Sequence, residues 1–155
     1  MKKESLALLL GFVSNQKAEI DKLCEEIKGI KPENKENTVY IGYCLHNVYC
    51  AFEDLFKEVA RTFENQIEDV ARYHRDLLKR MILDVPGIRP PLLSRDSFRV
   101  LDELRRFRHM FRHAYTYELE SQKVNDLQLC LLAEYRTVIA DIEVFTGFLR
   151  SKIRE

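Results

Sequence analysis

The chain has 155 residues, 46% of them hydrophobic and 32% charged, enough to bury one domain-sized core. Its 25 basic and 25 acidic side chains cancel, which excludes a global field drawing it to nucleic acid, so any RNA contact must come from a local patch. No stretch approaches the roughly 20 apolar residues of a membrane span.

Helical periodicity organises the whole chain, and no alternating strand pattern competes with it. The first helix is predicted over about 3–29, with Leu6, Leu9, Val13, Ile20, Leu23 and Ile27 on one stripe and a stop at Gly29 and Pro32. The opening Met1-Lys2-Lys3 ahead of Leu6 to Val13 superficially resembles a secretory leader. Gly11 interrupts that apolar run and no small-residue cleavage site follows, so a signal peptide is not expected. A polar link, Lys31 to Asn37, leads into a second helix over about 38–66. Its buried stripe is Cys44, Val48, Ala51, Phe52, Leu55, Val59 and Phe63. A third helix over about 68–83 carries Val70, Leu77, Leu78, Met81 and Ile82.

Pro86-Gly87-Ile88-Arg89-Pro90-Pro91 forbids helix and forms a rigid connector. Ser94 then suits the N-cap of a fourth helix, with Asp96 favourable in its first turn. The fifth helix runs over about 122–153, with Leu131, Tyr135, Val138, Ile142, Phe145 and Leu149 on one face. These elements predict an all-α fold, a largely antiparallel bundle of about five helices in a single domain, 1–155. The four cysteines, Cys24, Cys44, Cys50 and Cys130, have neither C-x-x-C nor zinc-finger spacing. They read as small core residues of a protein in the reducing cytoplasm.

The fourth helix carries the chemistry. At 100° per residue Val100, Leu104, Phe107 and Phe111 form its buried stripe, bordered by Leu101, while Arg105, Arg108, His109 and Arg112 form an adjoining basic face. Between 94 and 113 there are six arginines (95, 99, 105, 106, 108 and 112) against Asp96, Asp102 and Glu103, and no lysine occurs between Lys79 and Lys123. Arginine presents a planar fork for phosphate or carboxylate. A solvated basic face, neutralised by Asp102, Glu103 or acids on neighbouring helices, is the competing account of this composition.

The helix ends in Arg108-His109-Met110-Phe111-Arg112-His113-Ala114-Tyr115, an R-x4-H-x-Y pattern. Arg108 supplies a permanent cation, His113 a proton-transfer group and Tyr115 a hydroxyl, a set suited to phosphodiester chemistry without a metal. Five residues on an ideal helix separate Arg108 from His113 by about 140° and about 7.5 Å along the axis. Either the helix loosens after Phe111, or each pair works with its equivalent in a second chain across a two-fold axis. His109 and His113 also make an H-x-x-x-H pair, but a metal would need a third ligand from His46, His74, Glu53 or Asp54, and the surrounding arginines repel a cation, so no metal site is expected. Asn47, Glu53, Asp54 and Glu58 lie on or beside the stripe of the second helix; Asn47 and Asp54 are the candidates to orient the Arg–His pair from behind. His46 and His74 are expected to pack or cap, and Tyr40, Tyr43 and Tyr49, at roughly helical spacing, to belong to the core rather than to stack on bases.

The R-x4-H-x-Y motif is similar to the signature of the HEPN superfamily of helical ribonucleases, and the chain more narrowly resembles HepT, the toxin of HepT–MntA toxin–antitoxin systems. Leu45-His46-Asn47-Val48-Tyr49, Tyr73-His74-Arg75-Asp76-Leu77-Leu78, Pro86-Gly87-Ile88-Arg89-Pro90 and Leu101 to His109 extend the likeness over about residues 40–125. Many relatives have Asn directly after the motif arginine; this chain has His109. The resemblance implies a homodimeric, metal-independent endoribonuclease that needs no cofactor, with Arg108 and His113 catalytic and Arg105, His109 and Arg112 as candidate phosphate contacts. It implies RNA (tRNA or mRNA) rather than DNA or membrane as the target. It also implies an MntA-like nucleotidyltransferase antitoxin that transfers AMP to Tyr115. The alternative is a catalytically idle HEPN module acting as a binding or assembly platform.

Overall fold

A computed structural model describes residues 2–64, 73–113 and 118–155, with 73–75 described through the backbone only. It contains five helices: α1 Lys3–Ile27, α2 Lys35–Phe63, α3 Tyr73–Arg80, α4 Arg95–Arg112 and α5 Ser121–Arg154. The all-α expectation holds, and neighbouring long helices run antiparallel. Gln16 of α1 donates to the Ala51 carbonyl of α2 while Glu26 accepts from Tyr40. Asp21 accepts from Tyr135 of α5 while Gln128 donates to the carbonyls of Ile27 and Ile30. The central element is α2, which packs against every other helix.

Local chemistry sets the helix ends. Asn34 caps α2 by accepting from the Asn37 N–H at 2.8 Å, which starts the helix three residues before the hydrophobic pattern does. At the other end of the preceding link, Gly29 takes φ +100°, a left-handed conformation that glycine adopts without a Cβ penalty, and α1 stops at Ile27. Ser94 caps α4 as expected, accepting from the Ser97 N–H, and Asp141 of α5 fixes that cap by accepting from the Ser94 N–H at 2.8 Å and both serine hydroxyls.

The expected stripes supply the core. Leu6, Leu9, Val13, Ile20 and Ile27 of α1, Cys44, Val48, Phe52, Leu55 and Val59 of α2, and Leu131, Val138, Ile142, Phe145 and Leu149 of α5 are all buried. The α2 core is wider than the heptad-like stripe: Ile41, Leu45, Tyr49, Phe56 and Ala60 are buried too, because a helix touched on several sides has little solvent face left. Of the three tyrosines assigned to the core, Tyr49 is buried, whereas Tyr40 and Tyr43 are exposed, the latter with 54% of its surface open. Cys24 and Cys44 are buried, Cys50 and Cys130 half-buried, and all four are free thiols. Burial, with Asp21 and Glu25 nearby, pushes the Cys24 thiol up to about 12, consistent with an inert core residue.

The third helix ends at Arg80, short of the expected 83, and Val70 lies outside the described residues. Met81, Ile82 and Leu83 close onto carbonyls three residues back, a tighter winding than α. The reason is the connector. Arg89, whose side chain is fully enclosed, donates to the carbonyls of Arg80, Leu83 and Pro90 and forks onto Glu64, which follows α2. Leu92 and Leu93 both donate to the Met81 carbonyl. The carbonyls that a helix end leaves over are thus filled by one arginine and a folded-back loop. No helix among the described residues is long and apolar enough to cross a membrane.

Candidate functional site at the seam of α2 and α4

The seam forms because α4 lays its apolar stripe on a face of α2 that lacks a side chain at one point. A Cβ at Gly42 would lie 3.0 Å from Leu119 and 3.4 Å from each of the Phe107 and Phe111 rings, so glycine permits this approach. Phe107 and Phe111 stack with centroids 5.9 Å apart, and Phe111 meets the His46 ring at 5.2 Å. The two helices run antiparallel, so the C-terminal half of α4 faces the N-terminal half of α2. That register carries Arg108 to the middle of α2.

There the guanidinium is held from one side. Arg108 Nε donates to Cys50 Sγ at 3.3 Å, and Nη2 lies 3.9 Å from the Glu53 carboxylate, whose side chain is only 3% exposed. Glu53 is shared with Lys57 at 3.6 Å. Burial opposes the charge on Arg108, but the Cys50 contact and Glu53 outweigh it and raise its pKa, so it stays a cation. His46 Nε2 lies 3.6 Å from the same Cys50 sulfur, and its Nδ1 is buried with no hydrogen-bond partner among the described residues. Burial, then Arg108 and Arg112, holds the His46 imidazole below its ordinary pKa, favouring the neutral ring. The buried Tyr49 hydroxyl, also without a partner among the described residues, is pushed upward by burial first and by Glu53 second.

The basic face of α4 divides in two. Arg99 pairs with Asp96, Arg105 with Asp102 at 2.9 Å, and Arg106 with Asp102 and Glu103, so these three arginines are paired within their own helix. Arg105, a candidate phosphate contact in the sequence, is therefore already engaged by a carboxylate. Arg108 reaches across to α2 instead, and His109 and Arg112 are exposed. His113 is the C-cap of α4 (φ −109°, ψ 13°), and its N–H turns back to the Met110 carbonyl at 3.1 Å. The helix therefore runs to Arg112 and closes at His113 in a tighter turn. His113 is exposed, and its ring meets that of His109 in an edge-on contact at 4.9 Å. Among the described residues no group of three or more His, Cys, Asp or Glu side chains is arranged to hold a metal ion, so the H-x-x-x-H pair has no third ligand there. Tyr115 lies outside the described residues, as does the side chain of His74.

The candidate orienting residues are placed differently from one another. Asn47 is half-buried and Asp54 is exposed, while the carboxylate that approaches Arg108 belongs to Glu53, one position earlier. The difference is a 100° step: 46, 49 and 53 share the α4-facing side of α2, with Cys50 at its border, and 54 turns away from it. Spacing alone does not mark Glu53, which lies well off the Val48–Leu55–Val59 stripe; it is buried because α4 covers that side of α2 as well.

Together these residues present a positioned, partly exposed arginine on the helix that ends in two exposed imidazoles, a set able to bind an anion and move a proton. No curated protein and no solved structure matches the chain. The family model described as HepT-like protein matches residues 40–149, a span containing most of α2, all of α3 and α4 and most of α5, with the whole seam, and on that match the chain belongs to the HepT-like protein family.

Proposed function

We propose that the protein is a metal-independent endoribonuclease toxin of the HEPN type, acting through Arg108 and His113. The observation that carries this reading is the state of Arg108. It is fixed at the seam along one edge, Nε on Cys50 and Nη2 facing Glu53, while 17% of its side chain stays open to solvent. A cation positioned in this way and still accessible is prepared for phosphoryl oxygens. Membership of the HepT-like family supports the same reading.

In the proposed reaction a ribose 2′-OH attacks the adjacent phosphorus and the bond to the departing 5′ oxygen breaks. His113 takes the 2′ proton as general base or gives one to the departing 5′ oxygen as general acid, solvent water exchanging the other proton, and a 2′,3′-cyclic phosphate is left. Arg108 neutralises the charge that accumulates on the non-bridging oxygens. The nucleophile belongs to the substrate, so no bound water has to be activated, and DNA, which lacks the 2′-OH, is not cut. Exposed Arg112 extends the cationic surface along the helix end, where the His109 ring is exposed too. Two copies related by a two-fold axis would bring two such pairs to one cleft. Control would come from a nucleotidyltransferase antitoxin that joins AMP to Tyr115. An anionic group two residues from His113 would repel RNA from the cleft.

The test is cleavage of RNA by the purified chain in EDTA, with His113→Ala and Arg108→Ala beside it. Cleavage leaving cyclic ends, reduced by about 10²–10⁴-fold in either variant with the fold retained, is the expected result. No cleavage from a chain whose mass shows an unmodified Tyr115 would overturn the enzyme and leave a HEPN-type assembly module.

A further inference from the structure

The three tyrosines of α2 have three different fates. Tyr49 is fully buried, and the Tyr40 hydroxyl is tied to Glu26 of α1. Tyr43 is more than half exposed, and its side of the helix is the side that matters. Residues 43 and 50 are seven apart, so they lie within about 20° of one another and about 10.5 Å along the axis. Cys50 is the residue that receives Arg108 Nε. Tyr43 therefore stands on the same flank of α2 as the Arg108 contact, two turns toward the end where Phe111 packs on Gly42 and His46 and where α4 finishes at His113. Val39, one turn further, is exposed on that flank too and extends its apolar surface.

An exposed ring on the flank of α2 that receives Arg108, toward the end where α4 finishes with Arg112 and His113, is the combination that single-stranded nucleic acid uses: cations follow the phosphates, and an aromatic face receives a base. We infer that Tyr43 is the stacking platform for a base neighbouring the scissile phosphate and so helps to select which part of an RNA strand enters the seam. This rests on the ribonuclease reading above and adds to it a residue outside the R-x4-H-x-Y motif. Because every base has a π-face, the platform favours unpaired over paired RNA without dictating sequence.

The experiment measures binding of a fluorescent single-stranded 2′-O-methyl oligonucleotide, which cannot be cleaved, alongside cleavage of the matching RNA. Wild type, Tyr43→Ala and Tyr43→Phe are compared, with circular dichroism and sedimentation as controls. Tyr43→Ala should weaken binding by about tenfold or more, while Tyr43→Phe, which keeps the ring, should stay within about twofold of wild type. If Tyr43→Ala binds and cleaves like wild type, the platform is wrong and the ribonuclease stands. If Tyr43→Ala instead changes the sedimenting species, the ring is a self-association contact and the inference is overturned. If wild type neither binds nor cleaves, the ribonuclease reading fails and the platform with it.

Discussion

Arg89 and Arg108 are both enclosed arginines facing a glutamate, and they have been put to opposite uses. Arg89 has a side chain with no exposed surface, and its hydrogen bonds account for all five N–H donors: Nε and Nη2 to Glu64, Nη2 to the Arg80 carbonyl, and Nη1 to those of Leu83 and Pro90. Arg108 keeps 17% of its side chain exposed and, among the described residues, meets a sulfur, a weak acceptor, and stands 3.9 Å from its glutamate, beyond hydrogen-bond reach. A saturated, enclosed guanidinium has nothing left to offer a ligand and serves the fold. One that is positioned and still open to solvent keeps its charge available to an anion.

The largest effect should come from breaking the saturated site. Arg89→Ala leaves the Glu64 carboxylate with Arg80 alone and three carbonyls to find new partners, and the expected loss is about 3 kcal/mol of unfolding free energy in urea titrations. Arg89→Lys should restore little, since an ammonium cannot reproduce a five-donor fork. Arg108→Ala should cost less than about 2 kcal/mol in the same titration while removing RNA cleavage. Equal stability losses at the two positions would show that Arg108 is structural as well and would dissolve the contrast.

Next in size is the support behind Arg108. Glu53→Gln keeps the shape of the side chain but removes the charge facing the guanidinium, and cleavage should fall about tenfold as Arg108 loses its fixed position. Asp54→Asn, on the exposed neighbour, should stay within about twofold of wild type. The measurement is kcat/KM on one RNA for both variants. A larger loss at Asp54 would return the orienting role to the residue that the sequence pattern suggests.

These contrasts explain which features were legible in the chain. The helices and their core faces follow from spacing alone, since Val100, Leu104 and Phe107 are buried because α4 must cover one stripe. The Ser94 cap and the arrest at Pro86–Pro91 are equally local. Arg89 is not legible in that way: within a proline-rich connector it reads as a loop residue, and its role depends on where α2 and α3 end. Glu53 and His46 are similar cases, because the register of α2 against α4 is set by Gly42 and by rings meeting across the seam. Local periodicity gives each helix a face, but it does not say which residues of two faces meet.

The smallest expected effect is one of pH, and it belongs to the seam. His46 has its pKa lowered in the fold by burial and then by Arg108 and Arg112, with Glu53 acting weakly the other way. The folded state therefore resists a proton that the unfolded chain accepts near the ordinary histidine value of about 6.5. The His46 contribution to stability is thus complete above about pH 6.5, declines as the pH falls below it, and levels off once the lowered folded value is passed. His46→Gln should flatten that part of the stability curve, and Arg108→Ala should bring the His46 resonance back toward its ordinary titration in an NMR pH series. Arg89→Ala should leave the His46 titration where it is, because it removes a charge from the other end of α2. If Arg89→Ala moved His46 as far as Arg108→Ala does, the ring would be reporting a general loosening of the bundle. A shift confined to Arg108→Ala would mean that its charge acts directly on the neighbouring imidazole, as a group held open for an anion should.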